Sequence, residues 1–190
     1  MPVMTKTPLV DTTIHEPSPT AGETEMMMFA LERVRGQFAW KCGGLDAAGL
    51  DRRHPPSTMT IGGLLKHMAL LEDKFVALAI TGEPLGPPWD AVDLAARPEW
   101  DWESAAEDSP EELYALWSRS VERSRAAWGA ALADGGLDRP SLFTTPSGEH
   151  PNLRRVLVDL VEEYLRHTGH ADLLREAFDG LVGNDPPQAR

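Results

Sequence analysis

Pro151-Asn-Leu-Arg-Arg-Val-Leu-Val-Asp-Leu-Val-Glu-Glu-Tyr-Leu-Arg-His-Thr-Gly-His-Ala-Asp-Leu-Leu-Arg-Glu-Ala-Phe-Asp-Gly180 is the stretch whose reading decides the fold. Asn152 suits an N-cap, and Gly180 stands where a C-terminal glycine stops a helix. Between them Leu153, Val156, Leu160, Glu163, His167, His170, Leu174 and Ala177 recur in steps of three and four, the seam of a helix facing a bundle core. Its ends are apolar, yet its middle carries a carboxylate and two imidazoles. At 100° per residue, Glu163, His167 and His170 fall within an arc of about 60°. Each buried polar group without a partner costs about 1–3 kcal/mol, so three on one seam need an explanation. One is a network of neutral, hydrogen-bonded histidines with Glu163 at its edge. The other is a divalent cation, since imidazole nitrogen and carboxylate oxygen together suit zinc, nickel or iron.

Working backwards, Ser109-Pro110-Glu111-Glu112 announces a helix with a capping box, followed by Leu113, Leu116, Trp117, Val121 and Trp128 on one side until Gly135-Gly136. Thr60 opens an earlier helix that ends by Gly82, with Ile61, Leu64, Leu65, Met68, Leu71, Phe75 and Leu78 as its expected apolar face. His67 lies three residues after Leu64 and four before Leu71, on that same face. Metal sites in bundles are built from inward side chains on facing helices, so His67 is the residue needed to complete a ligand set. The first helix runs from Glu23 to Lys41 or Cys42 and stops at Gly43-Gly44.

The link from Thr81 to Asp108 carries Pro84, Pro87, Pro88 and Pro98 with Trp89, Trp100 and Trp102. So long a link reads either as a wall over the open end of a metal site or as an apolar strap along the bundle flank. Phe143 to Gly148 reads as a small hairpin, and His15, His54 and His150 as surface residues. Cys42 reads as a small apolar residue at a helix end rather than a reactive thiol.

The expected fold class is therefore all-α, a four-helix bundle with long crossover connections. The expected organisation is a flexible N-terminal arm over 1–22, the bundle over 23–180 and a tail over 181–190. A net charge of −12 disfavours nucleic acid and anionic membranes as partners. No apolar run reaches the roughly 18 residues of a membrane span, and the first 22 residues lack the apolar core of a signal peptide. A single cysteine excludes an internal disulfide and points to the cytoplasm. There is no glycine-rich phosphate loop, no internal repeat, and no spacing that suggests a Ser/His/Asp or Cys/His pairing.

Gly63-Leu-Leu-Lys-His67-Met68, taken with Glu162-Glu-Tyr-Leu-Arg-His-Thr-Gly-His-Ala-Asp-Leu-Leu-Arg-Glu176, resembles the DinB/YfiT-like superfamily. Within it the chain is similar to the actinobacterial branch of unknown function called mini-circle-type proteins, over about residues 23–180. The resemblance implies a bundle, often a homodimer, carrying a divalent metal on one ligand from the second long helix and two from the fourth. It also implies a small-molecule substrate, with mycothiol or a similar thiol as cosubstrate for transfer or isomerisation. His67 matches the first ligand. The family's second pair stands four residues apart, as Glu163 and His167 do, whereas His167 and His170 are three apart. The expected metal ligands are His67, His167 and His170, with Glu163 as substitute ligand or as a partner orienting an imidazole. Glu163 or Asp159, one turn earlier, is the expected proton acceptor. The expected activity is a metal-dependent thiol S-transferase. A non-catalytic metal- or ligand-binding bundle is the alternative.

Overall fold

The computed structural model describes residues 12–188. The part of the expected arm before Thr12, and the last two residues of the tail, lie outside them. Among the described residues the fold is all-α. Four long helices, α1 (Glu23–Cys42), α3 (Ile61–Val76), α5 (Pro110–Ala133) and α6 (Leu153–Asp179), are joined by connections that hold two single-turn helices, α2 (Ala47–Leu50) and α4 (Trp100–Glu103). An isolated bridge between Pro140 and Asn152 is the only β pairing among them. The expected hairpin at Phe143–Gly148 is a tight turn, closed by the Thr145 amide donating to the Glu149 carbonyl at 2.8 Å.

The caps explain where the helices start. Thr60 Oγ1 accepts from the Gly63 amide at 3.0 Å and Asn152 Oδ1 from the Arg155 amide at 3.0 Å. Ser109 and Glu112 form a reciprocal box, which satisfies two amides that the first turn of α5 leaves without helical partners. Gly180 ends α6 at φ 78, a left-handed conformation that favours glycine. The last turn before Gly82 widens into a π-helix over Ala77–Thr81.

Helix α1 packs on α6, α3 on α5, and α3 also meets α6. The core holds Leu31 and Phe38 of α1, Leu64, Leu65 and Met68 of α3, Trp117 and Trp128 of α5, and Leu157, Leu160 and Tyr164 of α6. The buried row on α6 departs from the expected seam: it runs through Tyr164, Thr168, Ala171 and Arg175, and Ala177 is exposed. Steps averaging below 3.6 residues drift around a straight helix. At 100° per residue, Ala177 lies about 120° around from Leu153 and His170 about 100°, while His167 lies only about 40° away.

At the centre all four long helices meet in one polar cluster. Arg35 of α1 donates from Nε to Glu72 Oε1 at 2.8 Å and from Nη2 to Glu72 Oε2 at 2.6 Å. The same Nη2 reaches Ser124 Oγ of α5 at 3.0 Å. Tyr164 of α6 donates to Glu72 Oε1 at 2.6 Å and accepts from Trp117 Nε1 at 3.0 Å. Burial and the neighbouring Glu72 carboxylate raise the Tyr164 phenol well above its usual range, so it stays protonated and donates. Arg35 and Glu72 are essentially inaccessible to water.

The link between α3 and α5 folds back along α3. Trp89 Nε1 donates to Asp73 Oδ2 at 2.8 Å, Lys66 Nζ sits 4.4 Å from the Trp100 ring centre, and Lys66 pairs with Asp108. Residues after α6 return across α1, where Arg33 Nη2 meets Asp185 Oδ2 at 3.0 Å and the Ile14 amide donates to Gln188 Oε1 at 2.9 Å. His15, His54 and His150 are exposed. Cys42 is fully buried, and burial pushes its thiol far above the usual range.

Arg35→Met removes the cation and leaves Glu72 buried and unpaired, so a loss of about 3–5 kcal/mol is expected in urea unfolding. The double variant Arg35→Met/Glu72→Met should recover most of that loss. Cys42 should resist a thiol-alkylating reagent in the folded protein and react in full once urea unfolds it, as read by mass spectrometry.

Candidate metal centre

His67 projects from the middle of α3, and Glu163 and His167 from adjacent turns of α6. One ligand atom from each lies within 4.8 Å of the other two. This is the meeting of two separated segments that the helical spacing anticipates. His167 is buried, while His67 and Glu163 are half-buried at the edge of the core.

The partners of each ring decide which nitrogens face the centre. His67 Nδ1 lies 2.6 Å from Asp101 Oδ2. An ionised carboxylate only accepts, so Nδ1 carries the proton, and in the neutral ring Nε2 is left with the lone pair. No hydrogen bond reaches that Nε2 among the described residues. His167 Nε2 lies 3.5 Å from Glu163 Oε2, and its Nδ1 lies 3.3 Å from His170 Nδ1. Burial, with the nearby His67 and His170, lowers the His167 pKa to about 4, so the ring is neutral at physiological pH and Nε2 can offer a lone pair. One candidate ligand atom from each of two imidazoles and a carboxylate therefore converges on one point, a donor set that suits a divalent cation.

Of the four expected residues, His67, Glu163 and His167 bring candidate ligand atoms together, whereas His170 turns its Nδ1 to the far nitrogen of His167. Residues four apart on a helix stand nearly one above the other, while His170 is rotated about 60° from His167. Asp159 is one turn before Glu163, and its carboxylate accepts from Arg155 Nε at 2.7 Å.

Two residues of the link complete the surroundings. Trp102 stacks on His67 with ring centres 4.5 Å apart and planes at 27°, and lies 5.8 Å from the His167 ring. Asp101 is buried against the same imidazole. Helical periodicity does not reveal these two, because the link has none. The signal that was available is the pair Gly62-Gly63 one turn before His67, an unfavourable pair inside a helix. A Cβ at Gly63 would stand 2.9 Å from Trp102 Cε3, so the glycine lets the indole lie against α3. Two clefts lie elsewhere: a cavity of about 540 Å³ between residues 13–17, α1 and α5, and one of about 720 Å³ beneath the Pro84–Pro88 run. Neither is lined by His67, Glu163 or His167, so donor chemistry rather than volume marks the site.

A family model described as Mycothiol-S-transferase matches residues 26–180, and the chain belongs to that family, part of the DinB/YfiT-like superfamily. No curated protein matches the chain. No helix among the described residues is long and apolar enough to cross a membrane.

Gly63→Ala is expected to push Trp102 off His67 and to cost about 1–3 kcal/mol through overpacking. The checks are a lower thermal midpoint and a changed near-ultraviolet circular dichroism signal. Gly129→Ala on α5, where a new Cβ meets open space, is the control and should leave stability unchanged or higher by up to about 1 kcal/mol.

Proposed function

We propose that this member of the family holds one divalent cation on His67, Glu163 and His167, and transfers a low-molecular-weight thiol, mycothiol by the family's description, to an electrophilic small molecule. The observation that carries the reading is the convergence of one candidate ligand atom from each of His67, Glu163 and His167 within 4.8 Å of one another. Such a cation supplies Lewis acidity that lowers the pKa of a thiol or water reaching its open position.

The chain's own groups do the rest. His67 and His167 present their Nε2 atoms, and Glu163 contributes the negative charge nearest the centre. His170 orients His167 by pairing with its Nδ1, so that Nε2 stays aimed inward. Trp102 closes one side of the His67 ring and keeps water from it. The thiol S–H bond breaks with its proton passing to a carboxylate. Glu163, whose free oxygen is partly open to solvent, is better placed to accept it than Asp159, which Arg155 already engages. The sulfur electron pair then forms the new C–S bond, and the acceptor's leaving group departs with the pair of the bond it breaks.

Purified protein should contain close to one divalent metal per chain, with zinc, nickel and iron all compatible with the donor set. His67→Ala and Glu163→Gln should lose that stoichiometric metal while keeping their helical circular dichroism. With mycothiol and a panel of electrophiles, the metal-loaded protein should consume thiol, and both variants should not. Protein without metal, with stability indifferent to a chelator, would make the histidines a structural network. Bound metal without turnover on any acceptor would make the chain a binding module.

A further inference from the structure

The buried carboxylate of Asp101 is the least satisfied charged group near the candidate centre. It comes from α4, a single turn in the middle of the link, and is 1% exposed. Oδ2 holds His67 Nδ1 at 2.6 Å, while Oδ1 is buried with no hydrogen-bond partner. Arg97, four residues before Asp101, pairs with Glu103, and Lys66, next to His67, is spent on Asp108 and on the Trp100 ring. A carboxylate taken out of water with a single imidazole as its partner is costly unless positive charge reaches it through that ring.

We propose that Asp101 is the positioning residue for His67. It fixes the tautomer that leaves Nε2 as the ligand atom, and it makes that nitrogen a stronger donor by drawing on the Nδ1 proton. Asp101 and Glu163 together bring two negative charges, which a divalent cation neutralises and a monovalent one does not. The link then contributes to the centre itself and does more than cover the bundle flank. The inference rests on the reading that His67, Glu163 and His167 hold a cation, and it concerns a residue outside that ligand group.

The test is zinc affinity, measured by chelator competition on the full-length chain, alongside the unfolding midpoint of the metal-free protein. Asp101→Asn keeps an acceptor for Nδ1 but removes the charge, and Asp101→Ala removes both. Affinity is expected to fall about 10-fold for the first and towards 100-fold for the second, with a metal-free midpoint close to that of the unaltered chain. Asp108→Asn is the control, because Asp108 also docks the link on α3 yet does not touch His67. It should leave zinc affinity unchanged. Equal losses in Asp108→Asn and Asp101→Asn would show that link docking alone matters, and would overturn the role of Asp101. Affinity within twofold of the unaltered chain in both Asp101 variants would overturn it too. No zinc binding by the unaltered chain would instead sink the ligand reading beneath it.

Discussion

The contact between Arg35 and Glu72 is the constraint on which the arrangement of this molecule depends. It brings α1 to α3 at the centre, and Ser124 and Tyr164 extend it to α5 and α6. Apolar faces alone allow helices to slide by a turn at small cost, since Leu and Val pack in several registers. A bidentate guanidinium–carboxylate pair does not allow it, because each of its bonds has a fixed direction. Glu72 is five residues from His67, and Tyr164 is next to Glu163. The bond between Glu72 and Tyr164 therefore fixes how α3 and α6 lie against each other within two turns of the candidate centre. A buried ion pair is weak evidence for net stability. Its contribution here is to register.

The link between α3 and α5 adds a second layer to the same end. It follows α3 backwards, meeting Asp73 through Trp89, Lys66 through Trp100, and His67 and Gly63 through Trp102. Three indoles spaced along one helix hold the link at three heights. Asp101 is thereby placed beside His67, where a flexible loop would not hold a carboxylate in apolar surroundings. The two sequence readings of the link, wall and strap, describe one object, for the strap's tryptophans also bound the site.

What was legible in the sequence follows from what is local. Thr60, the Ser109–Glu112 box, Asn152 and Gly180 mark helix ends through interactions within a few residues, and the long helices begin and end where these signals stand. Helical spacing also put His67, Glu163 and His167 on inward faces. That Glu163 rather than His170 stands with His67 and His167 was not legible, because both lie near the edge of the α6 stripe and the direction of a side chain depends on what packs beside it. Arg35 and Glu72 were illegible for another reason. Each reads as an ordinary surface charge on its own helix, and only the pairing of α1 with α3 gives either a reason to be buried. Asp101 belongs to a segment with no period at all, so its place depends entirely on the tryptophans around it.

The molecule contains buried polar clusters of two kinds, and the contrast bears on function. In the central cluster the charges are matched: the Glu72 oxygens accept from Arg35 and Tyr164, and Nε, Nη1 and Nη2 of Arg35 all donate, to Glu72, Glu32 and Ser124. Asp73 is likewise filled by Trp89, Ser120 and Arg123. These clusters need nothing from outside to be stable. Around His67 the balance differs, with three candidate ligand atoms converging and an Asp101 oxygen buried without a donor. Trp128 Nε1 and Thr168 Oγ1 are also buried without a partner, but neither group carries a charge. Where two helices and the link converge the unmatched group is a carboxylate, and the cation proposed there would supply the positive charge it lacks.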